Sequence, residues 1–191
     1  MVSFADKPIL DVTTVAEWEA WLEQNVDDQD GVRVRIRTKA AVDPGLTYEE
    51  AVLVGLCFGW IDGQSGPHDE QFRLQAFTPR RKASPWSQVN VERVARLIAE
   101  GRMRDAGHAE IERAKADGRW DAAYRQKGAE LPDDLAAAIA ASPAAAEFFA
   151  TLTKQNRFAF IFRLSTARSA ETRAKRIADF VAKLERGERF H

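Results

Sequence analysis

Val32-Arg33-Val34-Arg35-Ile36-Arg37 alternates without a fault. In an extended chain Val32, Val34 and Ile36 fall on one side and Arg33, Arg35 and Arg37 on the other. The run therefore predicts a strand with one face on a core and one face toward water. Such a strand needs a cover and a partner, and both are sought in its surroundings. Upstream, Thr14-Val15-Ala16-Glu17 has the form of a capping box, and Val15, Trp18, Trp21 and Leu22 recur at helical spacing. The acidic, turn-like segment from Asn25 to Gly31 closes that helix. Downstream, Asp43-Pro44-Gly45 marks a turn, and Thr47-Tyr48-Glu49-Glu50 is a second capping box. The helix it opens runs from Tyr48 to about Phe58 and is apolar nearly all round, so it is expected to be buried on more than one side.

Trp60 to Gln64 and Gln71 to Thr78 read as two more strands, antiparallel around Ser65-Gly66-Pro67, with Phe72, Leu74 and Ala76 on one face. A turn at Asp62-Gly63 is the second choice, because it leaves the first strand very short. After Pro79 the pattern becomes helical. Val91, Val94, Ala95 and Ile98 make a stripe that Gly101 ends, and a polar helix from Ala106 to Asp117 precedes Trp120 and Tyr124. Pro132, Ser142-Pro143 and Thr153 open three further helices. A last helix, Ala170 to Arg186, stops at Gly187. Phe148, Phe149, Phe158, Phe162, Phe180 and Leu184 are expected to form the core these helices share. The fold class is α+β: a small antiparallel sheet with packed helices, followed by a mostly helical C-terminal module. The expected divisions are 1–85 for the α+β domain, 86–130 for connecting helices and 131–191 for the module.

Hydrophobic residues make up 45% of the 191 and charged residues 30%, the balance of a globular chain rather than a disordered one. The longest apolar run, Ala51 to Ile61, falls short of the roughly 20 residues that cross a bilayer as a helix. Met1 to Leu10 has no basic stretch followed by an apolar one, so a cytoplasmic protein is expected. The single cysteine, Cys57, excludes an internal disulfide and a cysteine-rich metal site. Charge is unevenly spread. Residues 1–78 hold 6 Lys and Arg against 14 Asp and Glu, a net −8, and residues 79–191 hold 22 against 15, a net +7. The two halves attract each other or a second copy, or the basic half offers a surface to an anion.

Candidate chemistry is sparse. Cys57, near the end of an apolar helix, reads as a packing residue, since a helix C-terminus and burial both disfavour a thiolate. His68, His108 and His191 have no metal-ligand spacing around them, and no metal or other cofactor is expected. No Walker loop, Rossmann fingerprint or nucleophile elbow is present. Arg33, Arg35 and Arg37 read as solvated or paired with neighbouring acids. The C-terminal helix carries Arg173, Lys175, Arg176, Lys183 and Arg186, but Glu171, Asp179 and Glu185 interrupt them, which argues against nucleic acid. The most promising segment spans Trp60 to Asn90. It places Trp60, Asp62, Gln64, Arg80, Arg81, Trp86, Ser87 and Asn90 at strand ends and a helix start, and they are the candidate ligand-binding residues. Arg80, Arg81 and Lys82 stand just before a helix N-terminus, where acids are usual, so an anion is the expected ligand. An internal bridge, with Asp62 or another carboxylate from the acidic half filling the same place, is the competing account.

Cys57-Phe58-Gly59-Trp60-Ile61-Asp62-Gly63-Gln64, Phe77-Thr78-Pro79-Arg80-Arg81, Trp86-Ser87 and Asn90-Val91 resemble segments of the YdeI/OmpD-associated, or bacteriocin-protection, family. So does Pro132 to Gly187, most of all at Thr166-Ala167-Arg168, Glu171-Thr172-Arg173 and Arg176-Ile177. The resemblance runs over nearly the whole chain. It implies a link to bacteriocin or antimicrobial-peptide resistance and an association with an outer-membrane porin, and it implies no catalytic residue. The expected function is that of a cytoplasmic stress- or bacteriocin-resistance protein that binds a ligand or partner without catalysis. The partner is an anionic small molecule or a protein, a second copy included. An enzyme acting on an anionic small molecule is one alternative, and a nucleic-acid-binding protein using the basic half is another.

Overall fold

The structure, a computed structural model, describes residues 2–27, 30–125, 128–167 and 169–190. Arg168 and His191 of the sequence reading, and part of its Asn25–Gly31 turn, lie outside them. The chain divides into two compact units, 1–123 and 124–191.

In the first unit, β2 (Val32–Arg37) occupies the six alternating residues and sits inside a four-stranded sheet. Its neighbours are β1 (Ile9–Leu10), parallel to it, and β4 (Phe72–Pro79), antiparallel; β3 (Trp60–Pro67) pairs antiparallel with the far side of β4. The sheet is thus mixed, because a two-residue strand too short to show a period adds a parallel edge. The β3–β4 turn is also displaced from its expected place. Ser65, Gly66 and Pro67 pair with Gln75, Leu74 and Arg73, and the register shifts between Asp62 and Ser65. The turn falls at His68–Gln71, where an Asp69 carboxylate oxygen accepts from the backbone N–H groups of Gln71 (2.8 Å) and Phe72 (2.7 Å). Gly63 and Pro67 look like a turn in sequence but serve a bulge and a strand end.

Residues paired across an antiparallel ladder share a face. Val32 pairs with Phe77 and Val34 with Gln75, so the valine face carries Phe77, while Phe72, Leu74 and Ala76 share the other face with the arginines. That second face is not left to water. Phe72, Leu74 and Ala76 are all buried, the Arg35 guanidinium lies 4.3 Å from the Phe72 ring centre, and Arg33 lies 5.4 Å from that of Phe4. Arg35 pairs with Asp11 at 2.7 Å, and Arg33 Nε donates to Lys7 O at 2.9 Å. Arg33 and Arg35 thus make internal contacts, while Arg37 is exposed.

On the valine face lie α1 (Val15–Asn25) and α2 (Tyr48–Cys57), and both predicted capping boxes form, Thr14 with Glu17 and Thr47 with Glu50. Trp18, Leu22, Val54, Trp60 and Phe77 are fully buried. Trp18 Nε1 donates to Ala51 O (3.1 Å) and Trp60 Nε1 to Val26 O (3.2 Å), so neither indole leaves its one donor unmatched. The same core takes in α3 (Gln88–Ala99) through Val94 and Leu97, and α4 (Asp105–Ala116) through Ile111 and Ala114. The stripe expected on α3 is turned: Asn90, Val94 and Leu97 face inward and Ile98 is 44% exposed.

The second unit contains α5 (Asp133–Ala140), α6 (Pro143–Thr151), α7 (Lys154–Ser165) and α8 (Ala170–Glu185). Ser142 and Thr153 cap α6 and α7 as expected. Gly187 takes φ +67° and its N–H reaches Leu184 O, ending α8. The core is Leu135, Ile139, Ala145, Leu152, Phe160, Leu164, Phe180 and Leu184. Phe180 and Leu184 are buried as expected, but Phe158 and Phe162 are not the buried face of α7. They are half-buried and pack on the Tyr124 ring, while Phe160 sits edge-on to Phe180 at 5.4 Å. Apolar residues on both sides of α7 leave its period undecided.

Candidate functional site

As β4 leaves the sheet, Arg80 N donates to Gly59 O at 3.0 Å, which fixes the residue at the end of the β3–β4 pair. Its side chain is only 5% exposed. The guanidinium carbon lies 3.7 Å from the Trp86 ring centre, and Nη1 donates to Pro85 O at 3.2 Å. Arg81 and Ser84 close a turn on each other: Ser84 Oγ accepts from Arg81 N at 3.0 Å, and Ser84 N donates to Arg81 O at 2.9 Å. Ser87 caps α3, its Oγ accepting from Asn90 N at 3.2 Å.

Trp86 is 2% exposed and packs on Trp120 with ring centres 4.9 Å apart. Two more arginines reach this place. Arg113, on α4, donates to Arg80 O at 3.5 Å and pairs with Glu110. Arg119, after α4, donates to Ser84 O at 2.8 Å and pairs with Asp117 at 2.8 Å. The Arg80 guanidinium thus lies on the Trp86–Trp120 pair, and those of Arg113 and Arg119 reach the backbone of the Arg80–Ser84 turn beside it, with one largely shielded carboxylate, Glu110, nearby. Burial pushes the Glu110 carboxyl above its ordinary value, against the pull of Arg113, Arg80 and Arg119. Trp86 Nε1, Glu110 Oε2 and Arg113 Nε are shielded from solvent with no hydrogen-bond partner. Shielded polar atoms are nearly always matched in folded proteins, so three unmatched ones in a single cluster set it apart as the candidate site.

The eight residues singled out from sequence separate into distinct surroundings. Arg80, Trp86 and Ser87 stand together at this cluster, with Arg81 beside them and exposed. Trp60 belongs to the core. Asp62 accepts from the Tyr48 hydroxyl at 2.7 Å, and burial together with that bond raises the Tyr48 pKa. Asn90 accepts from Arg93 at 2.9 Å, and Arg93 also pairs with Glu49. Gln64 is exposed at the β-bulge. Asp62 bonds to Tyr48, whereas the competing account places it in a bridge at the start of α3. Glu110, Arg113, Arg119 and Trp120 escaped the sequence reading. Glu110 and Arg113 stand three apart on one helix, a visible ion-pair spacing, but nothing local ties them to Arg80.

A mixed sheet under four helices, followed by a small helical unit, defines an α+β protein with a helical C-terminal domain. Residues 10–110 match a family described as a domain of unknown function, DUF8412; this is more than half of the chain, which belongs to that family. Residues 128–187 match the family described as bacteriocin-protection, YdeI or OmpD-associated, and the match falls within the second unit. The segments from Cys57 to Val91 that resemble the latter family fall inside the former's match. No curated protein and no solved structure matches the chain.

Proposed function

We propose that the protein is a non-enzymatic, cytoplasmic binding protein of bacteriocin or stress resistance, whose first unit holds an anion at the Arg80–Trp86 cluster. The resistance part of this reading rests on the description of the C-terminal family. The anion part rests on one observation: Arg80 stacks on Trp86 while Arg113 and Arg119 bond to the backbone of the same Arg80–Ser84 turn, so three guanidinium-bearing side chains gather beside the Trp86–Trp120 pair. A phosphate or carboxylate brought there takes charge-assisted hydrogen bonds from guanidinium groups already held in place. The Trp86 face is covered by Arg80, so Trp86 orients the arginine and does not cap the ligand.

Phosphate at matched ionic strength is expected to raise the unfolding midpoint of the wild type, and a ligand at 100 times its dissociation constant adds about 2.7 kcal/mol. Arg113→Gln, at a residue whose side chain is 38% exposed, is expected to lose most of that gain while remaining folded. Equal stabilisation of the two proteins leaves the Glu110 and Asp117 pairs as the whole role of the cluster and ends the proposal.

A further inference from the structure

We propose that the second unit carries an independent binding cleft for a small amphipathic carboxylate. The cleft measures about 410 Å³ and is lined by Leu131, Phe149, Phe158 and Ile161 together with Lys154 and Arg157. Sites for small organic molecules run from about 300 to 1,000 Å³, are mostly apolar, and hold a few charged groups that orient the ligand. This one lies at the small end of that range, which suits a single short chain or ring and is too small for a folded partner. Its four large apolar side chains are all half-buried, so each keeps surface to give.

The charge at the cleft is of one sign. Among the described residues, no carboxylate lies within ion-pair distance of Lys154 or Arg157, and none lines the cleft. Lys154 is exposed. Arg157 is held by a bond from Nη2 to Ala150 O at 2.6 Å and lies 5.4 Å from the Phe149 ring centre, and its Nε is shielded without a hydrogen-bond partner. Both residues belong to the first turn of α7, which has no acid, so the partial positive charge of the helix start adds to theirs. An apolar wall with two cations at its edge selects an apolar body ending in a carboxylate. It rejects the neutral analogue, which forfeits the charge-assisted bonds, and the cationic one, which is repelled.

Calorimetric titration of the full chain with decanoate, below its micellar concentration, tests this. Saturable binding is expected, roughly tenfold or more tighter than for 1-decanol, decyltrimethylammonium or acetate. Lys154→Gln, a surface change that leaves the fold intact, is expected to weaken decanoate severalfold. Equal affinity for decanoate and 1-decanol, or an unaffected Lys154→Gln variant, overturns the cleft. So does binding to phosphatidylglycerol vesicles without binding to free decanoate, which makes the surface a headgroup contact instead.

Discussion

Gly107 and Gly59 show how much a missing side chain can hold together. A Cβ on Gly107 would run into the carbonyl oxygen of Cys57 and lie 2.6 Å from Met103 Cε, while one on Gly59, at φ +74°, would lie 2.9 Å from Ala106 O. In a helix interior Gly→Ala gains about 1 kcal/mol by propensity alone. At Gly107 the obstacle is backbone, which cannot rotate away, and overpacking of this kind costs about 1–3 kcal/mol. Gly107→Ala is therefore expected to lower the thermal midpoint, and a raised midpoint would show that α4 slides freely on α2. Cys57, packed at the same crossing and 2% exposed, has its thiol pushed up by burial. The native protein is expected to react with a thiol reagent only as fast as it unfolds, and Cys57→Ala to keep ligand binding. Glu110 carries a pH signature. Its folded pKa stands above the unfolded value, so its contribution to stability is fully present below pH 4.5 and is lost as pH rises through the folded value. Glu110→Gln should flatten that part of the stability profile, and an unchanged profile would assign the slope to another group.

The elements differ in how openly the sequence announces them. Where a side chain acts on its own backbone the signal is local, and Thr14–Glu17, Thr47–Glu50, Ser142, Thr153 and Gly187 all stand where they were read. The strict alternation of Val32–Arg37 gave the strand with both ends. What failed was the choice of face when apolar residues occur on both sides. On α7, Phe158, Ile161 and Phe162 compete with Phe160 and Leu164, and the tertiary core takes the latter pair. Phe160→Ala should then cost about 3–5 kcal/mol, the range for a fully buried ring. Phe162→Ala, at a half-buried site, should cost clearly less, and chemical denaturation of the two variants decides the order. The candidate site divides along the same line. Arg80, Trp86 and Ser87 were found because they are close in sequence, whereas Glu110, Arg113 and Arg119 arrive only through the packing of α4.

At the level of the whole molecule, each unit has a core of its own: one built on the sheet, the other on Phe160, Phe180 and Leu184. Such a division predicts that residues 124–191, expressed alone, give a helical circular-dichroism spectrum and a cooperative melt. An unfolded fragment would mean that the second core depends on the first. The tryptophans add a consequence for how such experiments report. The chain has five, at positions 18, 21, 60, 86 and 120, and every one lies in the first unit. Emission from Trp18, Trp21 and Trp60 follows the sheet core, and that from Trp86 and Trp120 follows the arginine cluster. Fluorescence is thus a built-in optical label for the first unit. Phosphate bound at the cluster should shift the emission, and a single cuvette then follows that ligand without any dye.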